Sequence, residues 1–332
     1  MKTAFLKCGN FYRGNLHCHT ARSDGRLQPE DLAAAYRERG YDFLCFTDHN
    51  IYTDLSGNST ADFLILPGME INPPPQPGND SEFHFLALPG TRRDREAATL
   101  PPYVHGQELR LQARHDADYL QSLLDDAHAR GSLLALSHPY WSRVEYDQVL
   151  ALRHLFAIDA YNFCSAVIEN AGESFSCWDA VLRRGGRLWG LAVDDTHNFY
   201  PLNAPGNDAF GGYTMVKAAS LSQDDVMEAI ALGSFYSSAG GPEIKDFYIR
   251  DGRACLLCSP AERIYFSSQA RQYRWLIAEQ SGNSLTGFEC DLRGDELYIR
   301  AECYDERGRR SFTNPIWLSA EDGDGASDAT GS

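Results

Sequence analysis

Residues 15–50 read NLHCHTARSDGRLQPEDLAAAYRERGYDFLCFTDHN, and this stretch sets the fold. With the preceding Phe11 it predicts a strand from Phe11 to His17, a turn at Ser23-Asp24-Gly25, a helix and a second strand. Pro29 suits the helix's first turn, Glu30 and Asp31 complement the positive dipole end, and Gly40 closes it. Tyr41 to Phe46 is a continuous apolar run, as expected of a parallel strand covered on both faces. Both strands run into histidines: His17-Cys18-His19 after the first, Thr47-Asp48-His49 after the second. On an extended segment His17 and His19 project to one side and can chelate a single ion, while Cys18 faces the other way. In isolation that pair reads equally well as structural.

The same arrangement recurs along the chain. Gly68-Met69-Glu70, His84, Ser137-His138-Pro139 and Asp194-Asp195-Thr196-His197 each follow a strand-like run. Further strands are expected at 62–66, 82–88, 132–136, 156–161, 187–193 and 213–218, with helices near 115–130, 174–184 and 222–232. The alternation predicts a parallel α/β barrel, whose strand ends gather distant residues at one mouth. Two stretches interrupt it: the Pro-rich NPPPQPGND at 72–80 and a polar insertion at about 89–113, both expected as loops or lids over that mouth. From about 243 to 319, short β-branched and aromatic runs split by turns predict a small antiparallel β-sandwich domain. The expected organisation is a barrel over 1–242, the β domain over 243–319 and an acidic, Gly/Ser-rich disordered tail over 320–332.

The 332 residues are 43% hydrophobic and 12% aromatic, enough for a sizeable core. A net charge of −16 argues against extended nucleic-acid binding, though bound metal ions would add positive charge that this number omits. Nine cysteines, odd in number and scattered, do not form a disulfide framework. The N-terminal residues lack a signal-peptide core, and no apolar run approaches membrane-spanning length. The reading is a cytoplasmic protein that does not engage membranes, with its oligomeric state open.

Order carries more than any single motif: H-x-H, S-D-G, T-D-H, G-x-E, H, H-P, D-x-H. Over about residues 11–240 this series resembles the PHP (polymerase and histidinol phosphatase) superfamily of metal-dependent hydrolases. HPYW at 138–141, WGLAVDDTHN at 189–198 and the closing GRRSFTNPIWL resemble, more finely, its carbaryl-hydrolase-like (CehA/McbA) branch. The resemblance implies a distorted (β/α)7 barrel holding two or three divalent ions (zinc, manganese or iron) at its C-terminal mouth. By carry-over, His17, His19, Glu70 and Asp195 would hold one ion. Glu70 would bridge to a second with His84 and His138, and Asp24, His49 and His197 would hold a third. The resemblance prefers Asp195 to Asp194, because the family motif puts the aspartate two residues before the histidine. Asp48 and Asp194 are expected to orient imidazoles.

The implied chemistry is hydrolysis by a metal-bridging hydroxide, with Glu70, Asp195 and His197 in catalytic roles and the source of the leaving-group proton open. Expected substrate contacts are Arg22, Asn50, Asn72, Tyr140, Trp141, Asn162 and Asn198, with Arg22 the best phosphate clamp. The leading function is a phosphoesterase (EC 3.1) acting on a small phosphorylated metabolite or nucleotide. The alternatives are a carbamate, ester or amide hydrolase, and a non-catalytic metal-stabilised scaffold. Phosphate specificity would require an Arg or Lys facing the metals; an aryl carbamate pocket would be apolar and aromatic. His105, His115, His128 and His154 fall outside the ordered motifs, and Cys255-x-x-Cys258 reads as packing.

Overall fold

The computed structural model describes residues 1–270, 274–280, 282 and 284–318, so the expected tail at 320–332 lies outside the described residues. Its first elements are β1 (Lys2–Thr3), β2 (Asn10–Asn15), α1 (Pro29–Glu38), β3 (Phe43–Cys45), β4 (Leu64–Leu66) and β5 (Met69–Ile71). Then come β6 (Phe85–Pro89), α2 (Arg92–Ala97), α3 (Ala117–Ala129), β7 (Ser132–Leu136), α4 (Tyr146–Leu150) and β8 (Leu155–Asn162). α5 (Phe163–Glu169), α6 (Phe175–Arg183), β9 (Trp189–Val193), β10 (Tyr213–Ala218), α7 (Gln223–Ala231) and β11 (Phe235–Ser238) complete this part. The remainder is all β: β12 (Ile244–Arg250), β13 (Arg253–Ala261), β14 (Arg263–Ser267), β15 (Arg274–Ile277), β16 (Leu285–Asp291), β17 (Tyr298–Tyr304), β18 (Arg310–Thr313) and β19 (Ile316–Trp317).

The chain divides into two compact units, Phe5–Gly240 and the chain from Gly241 onward joined by Met1–Ala4. The first four residues group with the later unit because β1 pairs antiparallel with β12. That unit consists of two antiparallel sheets, ordered β1-β12-β13-β16 and β15-β14-β17-β18, with β19 on β17. Phe247 and Phe266, one from each sheet, meet with ring centroids 5.9 Å apart.

In the larger unit β2, β3 and β4 pair in parallel, as do β7, β8 and β9. A backbone bridge between Cys18 and Thr196 joins the ends of β2 and β9, and another between His49 and Glu70 joins the end of β3 to β5. The staves β2, β3, the bent β4–β5, β6, β7, β8 and β9 thus form a distorted barrel. β10 lies antiparallel on the outer flank of β2, with β11 beyond it.

One expectation of direction is corrected. β6 runs antiparallel to both β5 and β7, so the barrel is not uniformly parallel. The reversal explains His84, which stands before its strand and not after it: in a reversed stave the N-terminal end faces the mouth. Glu70 likewise lies inside β5 and not beyond a strand end.

Alternation sorts the β3 side chains. Phe43 and Cys45 join the core with Leu16, Leu66, Leu86, Ala135 and Leu191. Leu44 and Phe46 face Leu32 and Tyr36 of α1, four apart on one helical face. Each such buried side chain contributes about 2 kcal/mol relative to exposure. The insertion at 89–113 is no simple loop. It contains α2, opened by a capping box between Thr91 and Asp94, and a bridge from Glu108 to Ile51.

Candidate metal centre

The local sequence delivers ligand-type side chains to the mouth by backbone geometry that costs strain. His138, Asp195, Asn50 and Asn198 all have positive φ, at 25°, 57°, 56° and 56°. Such conformations in residues with a Cβ persist where the surrounding structure over-determines them. Gly25 answers a different need: a Cβ there would lie 2.4 Å from the His19 carbonyl oxygen. Glycine lets the turn carrying Asp24 close onto the His17–His19 segment.

The nine residues named as ligands converge. Glu70 sits at the centre: its Oε1 is 3.2 Å from His17 Nε2, 3.3 Å from His138 Nε2 and 3.5 Å from His84 Nδ1. Its Oε2 is 3.0 Å from His49 Nδ1 and 3.5 Å from His19 Nε2. Asp195 Oδ1 is 3.1 Å from His17 Nε2 and 3.0 Å from His19 Nε2, and its Oδ2 is 3.8 Å from His138 Nε2. Asp24 lies at the outer edge, 3.6 Å from both His49 Nε2 and His197 Nε2 and 3.8 Å from His19 Nδ1. Among the described residues four groupings drawn from these nine bring their ligand atoms within 4.8 Å of one another, His17/His19/Glu70, His17/His138/Asp195, His49/Glu70/His84 and His19/Asp24/His49/His197, and a fifth joins His197 to Cys164 and Asp208. Three of the four differ from the sequence-based partition: His138 groups with His17 and Asp195, His49 groups with Glu70 and His84, and His19 faces the outer set as well as the inner one.

Burial makes this arrangement costly without cations. His17, His19 and Glu70 are fully buried, and Asp195 nearly so. Both Glu70 oxygens, Asp195 Oδ1, His19 Nδ1 and His84 Nδ1 are buried with no hydrogen bond. Orphaned acceptors of this kind carry a desolvation penalty unless something positive meets them. Burial pushes the His19 imidazole down to about 3, helped by His197 and His49 beside it, so it stays neutral with lone pairs available. Burial also opposes charge on His17, yet Asp195 and Glu70 raise its affinity for a proton well above the usual histidine value. Burial opposes charge on Glu70 in turn, but His17, His84 and His49 hold its carboxyl well below the ordinary range. Protons and metal ions compete for such groups. Imidazole and carboxylate donors of this kind fit divalent metal ions.

The imidazoles are held from behind. His17 Nδ1 lies 3.2 Å from Asp159 Oδ2, His138 Nδ1 2.9 Å from Ser142 Oγ, and His197 Nδ1 2.8 Å from the Asp195 carbonyl oxygen. A proton on each Nδ1 leaves Nε2 to face the cluster. Asp208 accepts from the backbone N–H of His197 and Asn198 and from Thr196 Oγ1, fixing that loop. Asp159 and Asp208 were missed from sequence. An acid inside the apolar run LFAIDAYN was the available signal for the first.

Asp48 and Asp194 orient no imidazole, contrary to expectation. Asp48 accepts from Thr20, Ser23 and Thr53. Asp194 accepts from Tyr36 Oη and the N–H groups of Phe210, Gly211 and Gly212, and burial lifts its carboxyl to about 6. Both hold loops in place.

A cavity of about 310 Å³ opens over the cluster. Of the expected substrate contacts, Asn72 and Trp141 line it. Arg22 does not; its Nη2 instead lies near Gly106. Asn50 clamps the Asn72 backbone, and Asn162 donates to Asp195 Oδ2 while capping α5. Tyr140 lines a separate cleft, and Asn198 is buried with neither side-chain polar atom hydrogen-bonded. The insertion at 89–113 contributes nothing to the wall, whereas Pro75 of the Pro-rich loop does. His105 and His115 bind backbone groups, and His128 and His154 stack on each other, all outside the cluster. Cys18 packs in the core against α1.

A model of the PHP domain matches residues 15–162, which carry seven of the nine clustered side chains, His17 to His138. Over those residues the chain is similar to the PHP domain. The chain is similar to the DNA polymerase/3'-5' exonuclease PolX of Bacillus subtilis (strain 168), at 31% identity over 83 residues. That match spans 25% of this chain and 14% of the relative's length. Among solved structures, it is similar to a two-domain protein containing a predicted PHP-like metal-dependent phosphoesterase from Bacteroides vulgatus ATCC 8482. The two share 13% identity, with 96% of this chain and 90% of that one covered and a TM-score of 0.48. No helix among the described residues is long and apolar enough to cross a membrane.

Proposed function

We propose that the protein is a metal-dependent hydrolase, and that its reaction is hydrolysis of a phosphate ester. The observation that carries this reading is the convergence of His17, His19, Asp24, His49, Glu70, His84, His138, Asp195 and His197 on one buried mouth with unmet acceptor atoms. Divalent ions bound there would polarise the scissile group and bring bound water's pKa toward ~7. Glu70 reaches both the inner and outer groupings and would tie them together. Asp159 and Ser142 contact Nδ1 of His17 and His138 and hold both rings in orientation, so the cluster is preorganised. His197, with Nδ1 committed to the Asp195 carbonyl, presents a lone pair and acts as a ligand. Asp24 is the most exposed of the nine, with its side chain 54% accessible.

A second reading, hydrolysis of a carbamate or carboxylic ester, is favoured by one observation. Among the described residues no Lys or Arg lines the cavity, so the basic side chain expected for phosphate specificity is not met there and bound ions would have to supply that charge, while Trp141 and Phe199 do line it. The finer likeness to the carbaryl-hydrolase branch belongs with this alternative. Manganese- or zinc-loaded protein should be assayed with p-nitrophenyl phosphate, bis-p-nitrophenyl phosphate and 1-naphthyl methylcarbamate. Turnover of a phosphate ester is the expected result; turnover of the carbamate alone rejects the first reading in favour of the second.

A further inference from the structure

Beyond the ligand cluster, the cavity walls have a charge character of their own. Trp141 packs edge-on against His138, with centroids 5.0 Å apart, and lies 6.0 Å from His84. Phe199 stacks flat on His197 at 5.0 Å and 4°. Two aromatic rings therefore flank different sides of the mouth. Between them α5 turns one face inward, Cys164, Ser165, Ile168 and Glu169, at helical spacing. Glu82 completes the wall, 3.8 Å from His84. Among the described residues neither Glu82 nor Glu169 is ion-paired with a Lys or Arg, and no basic side chain other than histidine lines the cavity.

Ions held by the nine ligands would meet the reacting group, and beyond them nothing positive awaits the rest of the substrate. A second phosphate or a carboxylate on the leaving group would be desolvated against Trp141 and Phe199 and repelled by two like charges. An ammonium group would instead gain two carboxylates and two ring faces. We infer that the cavity selects an ester whose leaving group carries an alkylammonium charge, with Glu169, Glu82, Trp141 and Phe199 as its specificity-determining residues. This rests on the hydrolase reading for turnover, but not for binding.

Two measurements test it separately. The first compares kcat/KM of the metal-loaded protein for choline phosphate, its uncharged isostere 3,3-dimethylbutyl phosphate, and a carboxylate-ended alkyl phosphate of similar length. The expected order is cationic, neutral, anionic, with at least about tenfold between the ends. In Glu169→Gln and Phe199→Leu that ratio should shrink toward one. The second titrates choline and 3,3-dimethylbutanol into the metal-loaded protein by calorimetry, with choline binding the more tightly and losing its advantage in Glu169→Gln. Absence of any turnover combined with preferential choline binding would sink the hydrolase reading and leave this inference standing. Equal or reversed preference in the titration, or a preference unchanged by both substitutions, overturns it.

Discussion

The molecule buries two carboxylates in opposite ways. Glu302, on β17 of the later unit, receives Arg300 Nη1 at 2.5 Å and Tyr304 Oη at 2.7 Å, with Arg310 Nη1 at 3.5 Å. Burial opposes its charge, but the arginines lower its proton affinity nonetheless, and permanent counter-charge surrounds it. Glu70, at the barrel mouth, has only histidines, whose charge depends on protons that must be taken up, and neither oxygen is hydrogen-bonded. A satisfied buried network contributes to specificity of folding, whereas an unsatisfied one is stability surrendered for function. The comparison teaches that the mouth is built to be completed by cations.

The largest effect that would sharpen this contrast is expected from Glu70→Gln. It should lower metal content, read by elemental analysis, and reduce turnover more than ~100-fold, since a central ligand counts for more than a supporting group. With metal stripped by chelator, its melting temperature should equal or exceed that of the parent, because a buried charge without permanent partners has been removed. Glu302→Gln should behave the other way: metal content unchanged, and stability down by about 3–5 kcal/mol because Arg300 and Arg310 lose their shared partner. Equal behaviour of the two variants would break the comparison.

A smaller effect is expected of Asp159→Asn. It touches no ligand lone pair, but it loosens the tautomer and orientation of His17, so metal affinity by competition titration should fall about 10–100-fold. The smallest effect concerns acid. Glu302 has a folded-state proton affinity below its ordinary value, so its stabilising contribution is complete above the normal glutamate pKa of ~4.3. That contribution is lost as pH falls through the lower folded value. Glu302→Gln should therefore flatten the acid limb of the unfolding profile in chelated protein.

Legibility from sequence was uneven for physical reasons. The β2–α1–β3 unit announced itself because Pro29, the acidic first turn and the two apolar runs are local signals, and the structure places α1 at Pro29–Glu38. The direction of β6 was not legible: an apolar run reads alike in either sense, and only pairing with β5 and β7 fixes it. The candidate histidine and carboxylate ligands stood out because such residues seldom end apolar strands without cause. Their partners did not. Asp159 lies inside a strand, Asp208 in a loop, and Ser142 resembles any turn serine until the fold brings it to His138. Asp48 and Asp194 misled because adjacency in sequence to His49 and Asp195 suggested support, while their carboxylates are taken up by Thr20, Ser23 and Thr53 and by Tyr36 and the 210–212 backbone.

The most direct test is elemental analysis of protein purified without chelator, alongside Glu70→Gln purified identically. The account predicts about two or three equivalents of zinc, manganese or iron per chain in the parent and a clear loss in the variant. A parent retaining only trace metal after incubation with these ions, or a variant retaining as much as the parent, would contradict it.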